Sequence, residues 1–296
     1  MGIAATIGFF DGVHTGHRCL LGQLRERASR LGLQTMAITF SHHPALVYNP
    51  SNAPLCICSF EKRVNKLQGL ADRVVVLDFD AAMARMTAEG FAADVLRKQL
   101  GVDLLLMGYN HRFGADGLKD FEAYRQICAR HGIEAVRAAR LEGDDVSSTL
   151  IRSLIRQADF SKAAATLGWE YEFEGRVSQG YHNGTRIGFP TANLKVEDNM
   201  LIPCEGVYAC WAKLAGSDER LPAMLNIGTR PTFNQADTSL SIEVHIIDWG
   251  NPRQLYGETM TVIPHSLIRH EANFPTINDL RRQLLNDKDI VTKKLR

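Results

Sequence analysis

The sequence predicts two domains in series: an α/β domain on a parallel sheet over residues 1–168, then a small antiparallel β-barrel with a closing C-terminal helix over residues 169–296. Three observations predict this. A length of 296 residues suits two separate cores. In the first half, short apolar runs alternate with helical patterns. After Trp169, short alternating stretches take over, separated by Gly and Pro turns.

The elements follow in order. Ala4 to Phe10 is an apolar run ended by the turn signal Asp11-Gly12. Leu20, Leu24, Ala28 and Leu31 then recur at helical steps. Thr35 to Phe40 reads as a second strand, broken at His43-Pro44. Arg73 to Phe79 and Val102 to Met107 read as strands, with Glu89 to Leu100 helical between them. Lys119 to His131 is a helix and Ile133 to Ala138 a strand. Strands separated by helices imply a parallel sheet whose ligands sit beyond the strands' carboxyl ends. Ser148 to Leu167 reads as one helix bridging the halves. Beyond it, Glu172 to Val177, Val207 to Leu214, Ala223 to Ile227, Leu240 to Ile247 and Met260 to Ile263 read as strands, and Ile277 to Leu285 as the closing helix.

Composition narrows the function. Hydrophobic residues are 45% and charged residues 23%, the profile of a soluble globular chain. Lys and Arg number 34 against 33 Asp and Glu, a net charge of +1. That balance argues against nucleic-acid or membrane-surface binding by bulk charge, and leaves room for a local phosphate pocket. No run reaches the ~18 apolar residues of a membrane span, and no signal peptide is seen. Six scattered cysteines read as small apolar fillers in a reducing, cytoplasmic compartment. A homo-oligomer is left open.

The richest run of the first half is Gly8-Phe9-Phe10-Asp11-Gly12-Val13-His14-Thr15-Gly16-His17. A strand ends, the chain turns, and two histidines stand three apart as a helix begins, a spacing that can aim both imidazoles one way. Unpaired N–H groups and the dipole at a helix start favour an anion. Gly12 and Gly16 allow a phosphate close to the backbone. Imidazole donors there suit a triphosphate whose charge grows during reaction. Two surface histidines on an ordinary turn are the competing reading. Asn110 can hydrogen-bond the polar edge of a ring, or serve a simple turn. Ser147, Ser148 and Thr149 stand where a helix begins and would cap it. Arg152, one turn on, suits bidentate pyrophosphate binding or a solvated face. No G-x-x-x-x-G-K-[ST] occurs, so neither half reads as a P-loop enzyme.

The densest motif of the second half is Gly188-Phe189-Pro190-Thr191-Ala192-Asn193. In extended chain Thr191 and Asn193 share a face, and a hydroxyl with an amide oxygen suits Mg²⁺. Gly175, Gly180 and Gly184 punctuate a loop over phosphates, or a turn-rich hairpin. From Leu240 to Ile247 the chain alternates, with Ser241, Glu243 and His245 on the polar face. Glu243 there would serve as a general base, or be merely solvated.

The ten-residue run resembles the HIGH-type motif of nucleotidylyltransferases, in the form carried by bacterial bifunctional riboflavin kinase/FAD synthetases. Thr39-Phe40-Ser41-His42-His43-Pro44 resembles that family's T-F-x-P-H-P, Gly108 to Gly114 its G-x-[ND]-x-x-F-G, and Val146 to Arg152 its I-S-S-T-x-I-R. In the second half, G-F-P-T-A-N, Gly206-Val207-Tyr208, Asn226 to Phe233 and Leu255-Tyr256-Gly257 resemble the riboflavin kinase domain in order and spacing.

The resemblance implies a Rossmann-like nucleotidylyltransferase domain followed by a β-barrel kinase. Its substrates would be riboflavin, FMN and ATP, with Mg²⁺ as cofactor. It implies catalytic roles for Glu243, His14, His17 and Arg152. It puts ATP and FMN on Gly8, Phe9, Asp11, Gly12, His43, Asn110, Ser147, Ser148 and Thr149. In the kinase it puts riboflavin and ATP on Gly180, Gly188, Phe189, Pro190 and Arg269, and the metal on Thr191 and Asn193. Three features depart from the family. His42 replaces a proline, residues 115–119 lack a basic-glycine pattern, and the chain opens almost at its first strand, so its N-terminus reads as trimmed. The weaker alternatives are a kinase without FMN adenylylation and a non-catalytic flavin-binding regulator. A tRNA synthetase, which also carries a HIGH motif, is set aside because no anticodon-binding region or basic surface accompanies it.

Overall fold

The computed structural model describes residues 2–109, 111–140, 146–179, 187–231, 238–250 and 254–296, with the backbone alone at 230, 231, 238 and 239. The chain divides into two compact units, Met1–Ser148 and Thr149–Arg296.

In the first unit β1 (Ile3–Ile7), β2 (Gln34–Phe40), β3 (Arg73–Leu77), β4 (Val102–Met107) and β5 (Glu134–Arg137) form one sheet in the order β3-β2-β1-β4-β5. All its pairings are parallel. Every residue of β1 is buried, as expected of a central strand covered on both faces. Ile3, Ala5 and Ile7 enter one core and Ala4 the other, the period-2 alternation of a strand. The order reverses beside β1, with β2 on one side and β4 on the other. Such a reversal opens a crevice at the carboxyl ends, where the loops after β1 and β4 emerge.

Two helical expectations need correction. The helix expected over Glu89 to Leu100 begins at Ala88, under a cap in which Thr87 Oγ1 accepts from Gly90 N–H. It continues over Phe91–Gln99 in the wider π-helical pattern. The single helix expected over Ser148 to Leu167 is two, Ser148–Arg156 and Phe160–Leu167. Ala158 takes φ 57° between them, and Asp159 restarts the helix by accepting from Lys162 N–H.

In the second unit β6 (Phe173–Ser178), β7 (Ala192–Lys195), β8 (Gly206–Leu214), β9 (Leu221–Pro231), β10 (Thr238–Ile246) and β11 (Thr259–Arg269) close a barrel in the order β10-β7-β6-β11-β8-β9. Closure pairs every strand on both sides and leaves no open edge. Strand β11 runs past the expected Ile263 to Arg269 because a register shift at Pro264/Ser266 accommodates the proline's missing N–H. Gly175 is a strand residue of β6, not part of a loop. The Leu194 side chain would lie 2.9 Å from a Cβ there, so only glycine lets β6 and β7 approach. The closing helix is Ile277–Lys294, longer than expected, and it buries Asp287 and Val291.

Candidate functional site

The N-terminal site is made by a forced turn. Just after β1, Phe10, Gly12 and Val13 have φ of 56°, 74° and 41°. Glycine adopts this freely, whereas a non-glycine residue there costs about 1–3 kcal/mol. Phe10 and Val13 are held to it by burial, at 3% and 0% exposure. The turn delivers His14 as N-cap of the Thr15–Leu31 helix, with His14 Nδ1 accepting from His17 N–H at 3.3 Å.

The two imidazoles stack, with centroids 3.6 Å apart and planes 17° from parallel. Burial pushes the His17 pKa well below the ordinary imidazole value, and His14 lowers it further. His17 is therefore neutral at neutral pH and presents a hydrogen-bonding ring rather than a charge. Its Nδ1 is buried without a hydrogen-bond partner among the described residues.

The rest of the motif packs round this pair. The Asp11 carboxylate is buried and accepts from Ile57 N–H at 2.9 Å, so it anchors the turn from below. The Asp11 carbonyl accepts from Ser148 Oγ at 3.2 Å, which ties Ser148 to the turn. A Cβ at Gly16 would lie 3.2 Å from the His14 ring and 3.6 Å from Val146, so Gly12 supplies a backbone angle and Gly16 supplies space. Gly8 N–H donates to the Ile38 carbonyl at 3.0 Å. The Phe9 ring meets the His43 ring edge-on at 4.6 Å. His43 Nδ1 accepts from Ala45 N–H. Ser147 and Thr149 are exposed, and Arg152 is buried one turn into its helix. Asn110 lies outside the described residues.

The atypical stretch after Gly114 has a structural use that the sequence did not announce. Asp116 Oδ1 accepts from Ala88 N–H at 3.0 Å, Ala115 N–H donates to the Met86 carbonyl, and the Tyr124 hydroxyl donates to the carbonyls of Phe113 and Leu118.

The second site sits on β10, between β7 and β9. Glu243 pairs in register with Asn193 on one side and Asn226 on the other. Its Oε2 accepts from Thr191 Oγ at 3.0 Å and its Oε1 from Ser241 Oγ at 3.3 Å. A cavity of about 370 Å³ opens over Glu243, Thr191, Asn193, Phe189, Arg269 and Leu284. A second, of about 570 Å³, is lined by Thr191, Gly188, Phe189, Pro190, Arg281 and Lys288. Thr191 and Phe189 thus border both.

Gly188 has φ 86°, which turns the chain into the motif. The Pro190 carbonyl accepts from His245 Nδ1 at 2.8 Å, and burial lowers the pKa of that imidazole. Arg269 lines the smaller cavity while its Nε and Nη2 donate to buried Asp287 at 3.0 and 2.9 Å. Gln283 also donates to Asp287, at 2.8 Å. Asp287 escaped the sequence reading, although its i,i+4 spacing from Gln283 was visible. Ser241 was legible as a neighbour of Glu243 on the polar face, but not as its hydrogen-bond donor. Gly180 and Gly184 lie outside the described residues.

Stacked histidines at a helix start on a parallel sheet, and a Thr–Glu–Asn cluster on the face of a closed barrel that looks toward the closing helix, fit one class: a two-domain, nucleotide-using transferase. The FAD synthetase family model matches residues 1–150, and the riboflavin kinase family model matches residues 167–295. The bifunctional riboflavin kinase/FMN adenylyltransferase of Pseudomonas fluorescens is 33% identical over 97% of this chain and 91% of its own. That of Haemophilus influenzae is 34% identical over 99% and 94%. The crystal structure of a macrolide-efflux protein from Streptococcus pneumoniae matches with a TM-score of 0.83 at 27% identity, covering 98% of this chain and 94% of that one. The chain belongs to the bifunctional riboflavin kinase/FMN adenylyltransferase family.

Proposed function

We propose that the chain makes FMN and FAD in two steps: the barrel phosphorylates riboflavin to FMN with ATP, and the α/β domain adenylylates FMN to FAD with release of pyrophosphate. The observation that carries this is the co-occurrence, in one chain, of both family matches with two separate polar clusters at the matching places. The adenylyltransferase would occupy residues 1–168 and the kinase 169–296, a division supported by the start of the kinase match at residue 167.

In the barrel, Glu243 accepts the proton of the ribityl hydroxyl as the hydroxyl oxygen attacks the γ-phosphate of ATP and ADP leaves. Two hydroxyl donors orient the carboxylate. Thr191 and Asn193 fit Mg²⁺, being neutral hard-oxygen ligands beside a carboxylate, with Thr191 on the border of both cavities and Asn193 lining the smaller. The metal would neutralise phosphate charge. The smaller cavity, with Glu243 and Arg269, would take the flavin. The larger, with Arg281 and Lys288, would take the triphosphate, held at the turn of Gly188, Phe189 and Pro190. Gly180 is assigned a part in the same substrate binding by the family resemblance alone.

In the α/β domain a phosphate oxygen of FMN attacks the α-phosphate of ATP in line. No protein nucleophile is needed, because positioning and charge stabilisation carry such transfers. His14 and His17 would donate to the phosphates. Ser147, Ser148, Thr149 and Arg152 would hold the departing pyrophosphate. Gly8, Phe9, Gly12, His43 and Asn110 would frame the nucleotide and flavin, with Asp11 acting through the turn it anchors. A cytoplasmic setting is supported by the absence of disulfides among the cysteines, and no described helix is long and apolar enough to cross a membrane.

The test is to incubate the protein with riboflavin and MgATP, separately with FMN and MgATP, and to separate the flavins by chromatography. FMN then FAD in the first mixture, and FAD in the second, are expected. FMN without FAD in both would restrict the chain to the kinase step.

A further inference from the structure

The motifs that follow β1 and β2 lie at the carboxyl edge of the sheet, yet they sit on different strands, and something must hold them in register. Arg63, on the Phe60–Gln68 helix, lies there at 2% exposure. Its Nη1 donates to the Phe9 carbonyl at 2.7 Å and to Thr39 Oγ at 3.2 Å. Its Nη2 donates to the carbonyls of Phe40 at 2.8 Å and Ser41 at 3.4 Å. Thr39 Oγ itself donates to the Phe9 carbonyl at 3.1 Å, closing the link between β1 and β2. The guanidinium carbon also lies 3.8 Å from the centre of the Phe9 ring, which in turn meets the His43 ring edge-on.

We infer that Arg63 is a positioning residue for adenylyl transfer, clamping the His14–His17 turn and the His43 segment to each other through Phe9. The inference rests on the adenylyltransferase reading of this site. A guanidinium is suited to the task because its planar fork reaches several acceptors at fixed angles, whereas an ammonium acts as one point. All four bonded oxygens are neutral, so these bonds are directional more than ionic. Three lie after or at the ends of β1 and β2, where each strand hands over to its loop. Loss of the clamp would leave the strands paired and the loops misaligned. Small misplacements of this kind lower turnover far more than they weaken binding.

The experiment compares FAD formation from FMN and MgATP in the parent and in Arg63→Lys, with FMN formation from riboflavin measured on the same samples. Arg63→Lys keeps the charge and is expected to lower adenylylation kcat by about 10- to 100-fold, with KM for both substrates changing less than about threefold. Kinase turnover should be unchanged. His43→Ala in the Arg63→Lys background should cost less than it does in the parent, because the two act through the same ring. Circular dichroism reports whether each variant is folded. The inference is overturned if folded Arg63→Lys keeps adenylylation kcat within threefold of the parent, if its defect is in KM alone, if the two substitutions are additive, or if activity falls only with folded fraction. A parent that forms no FAD sinks the reading of the site itself. A parent and Arg63→Lys that form it equally well sink this inference only.

Discussion

The two sites of this chain are built in opposite ways. The barrel site is a product of strand register. Glu243 is flanked by Asn193 and Asn226 because β10 pairs with β7 and β9, and each neighbour follows from the ladder. The α/β site is a product of a turn: three positive φ values, at Phe10, Gly12 and Val13 on either side of Asp11, swing the chain so that His14 caps the next helix and stacks on His17. A register site is stabilised by every backbone pair along the barrel. A turn site depends on a few buried anchors, such as the Asp11 bond to Ile57 and the packing of Phe10 and Val13. The barrel chemistry should therefore tolerate changes away from its cluster, while the α/β chemistry should respond to substitutions that never touch substrate.

The sharpest way to break the comparison is Glu243→Gln, which keeps the shape and removes the base. Phosphorylation of riboflavin should fall about 10²- to 10⁴-fold, with FAD formation from supplied FMN retained. Loss of both activities in a folded variant would deny that the sites are separate. His17→Ala is the counterpart. FAD formation should fall about 10²- to 10³-fold, the range for a removed donor to developing charge, while FMN formation continues.

Gly175→Ala tests the register argument by stability. The new methyl meets Leu194 at 2.9 Å, and overpacking of this kind costs about 1–3 kcal/mol. Calorimetry should show the loss in the barrel transition alone. The last effect is on pH. Burial lowers the His17 pKa and takes that of His111 down to about 4. Both folded values lie below the unfolded ~6.5, so the unfolded chain takes up protons first on acidification. Stability of the α/β domain should be full above about pH 6.5 and decline as pH falls toward 4, by up to about 1.4 kcal/mol per pH unit for each imidazole. Melts across pH 4.5 to 7.5 measure it. A domain that grows more stable in acid would contradict the burial of these rings.

What the sequence disclosed follows the same division. Alternation from Leu240 to Ile247 placed Glu243 on the polar face of a strand without outside help, since strand periodicity is local. The order of strands and helices fixed the parallel sheet, and the ten-residue motif fixed where its ligand edge lies. The missed features are nonlocal or lack punctuation. Strand β7 is four residues long, and its sequence shows no more than extended chain around Thr191 and Asn193. The break before Phe160 has neither Gly nor Pro, only Asp159 serving as a cap. Asp116 looked like a departure from the family until its bond to Ala88 appeared, 28 residues away. The Arg63 bonds cross 22 to 54 residues of chain and end mostly on carbonyls, which carry no side-chain signature.

Complementation between variants tests the two-site account most directly. Glu243→Gln alone and His17→Ala alone should each fail to carry riboflavin through to FAD. Mixed together with riboflavin and MgATP they should yield FAD, because FMN released by the second is adenylylated by the first. A mixture that stays without FAD, although each variant retains its single remaining step, would contradict independent sites linked by a diffusing product.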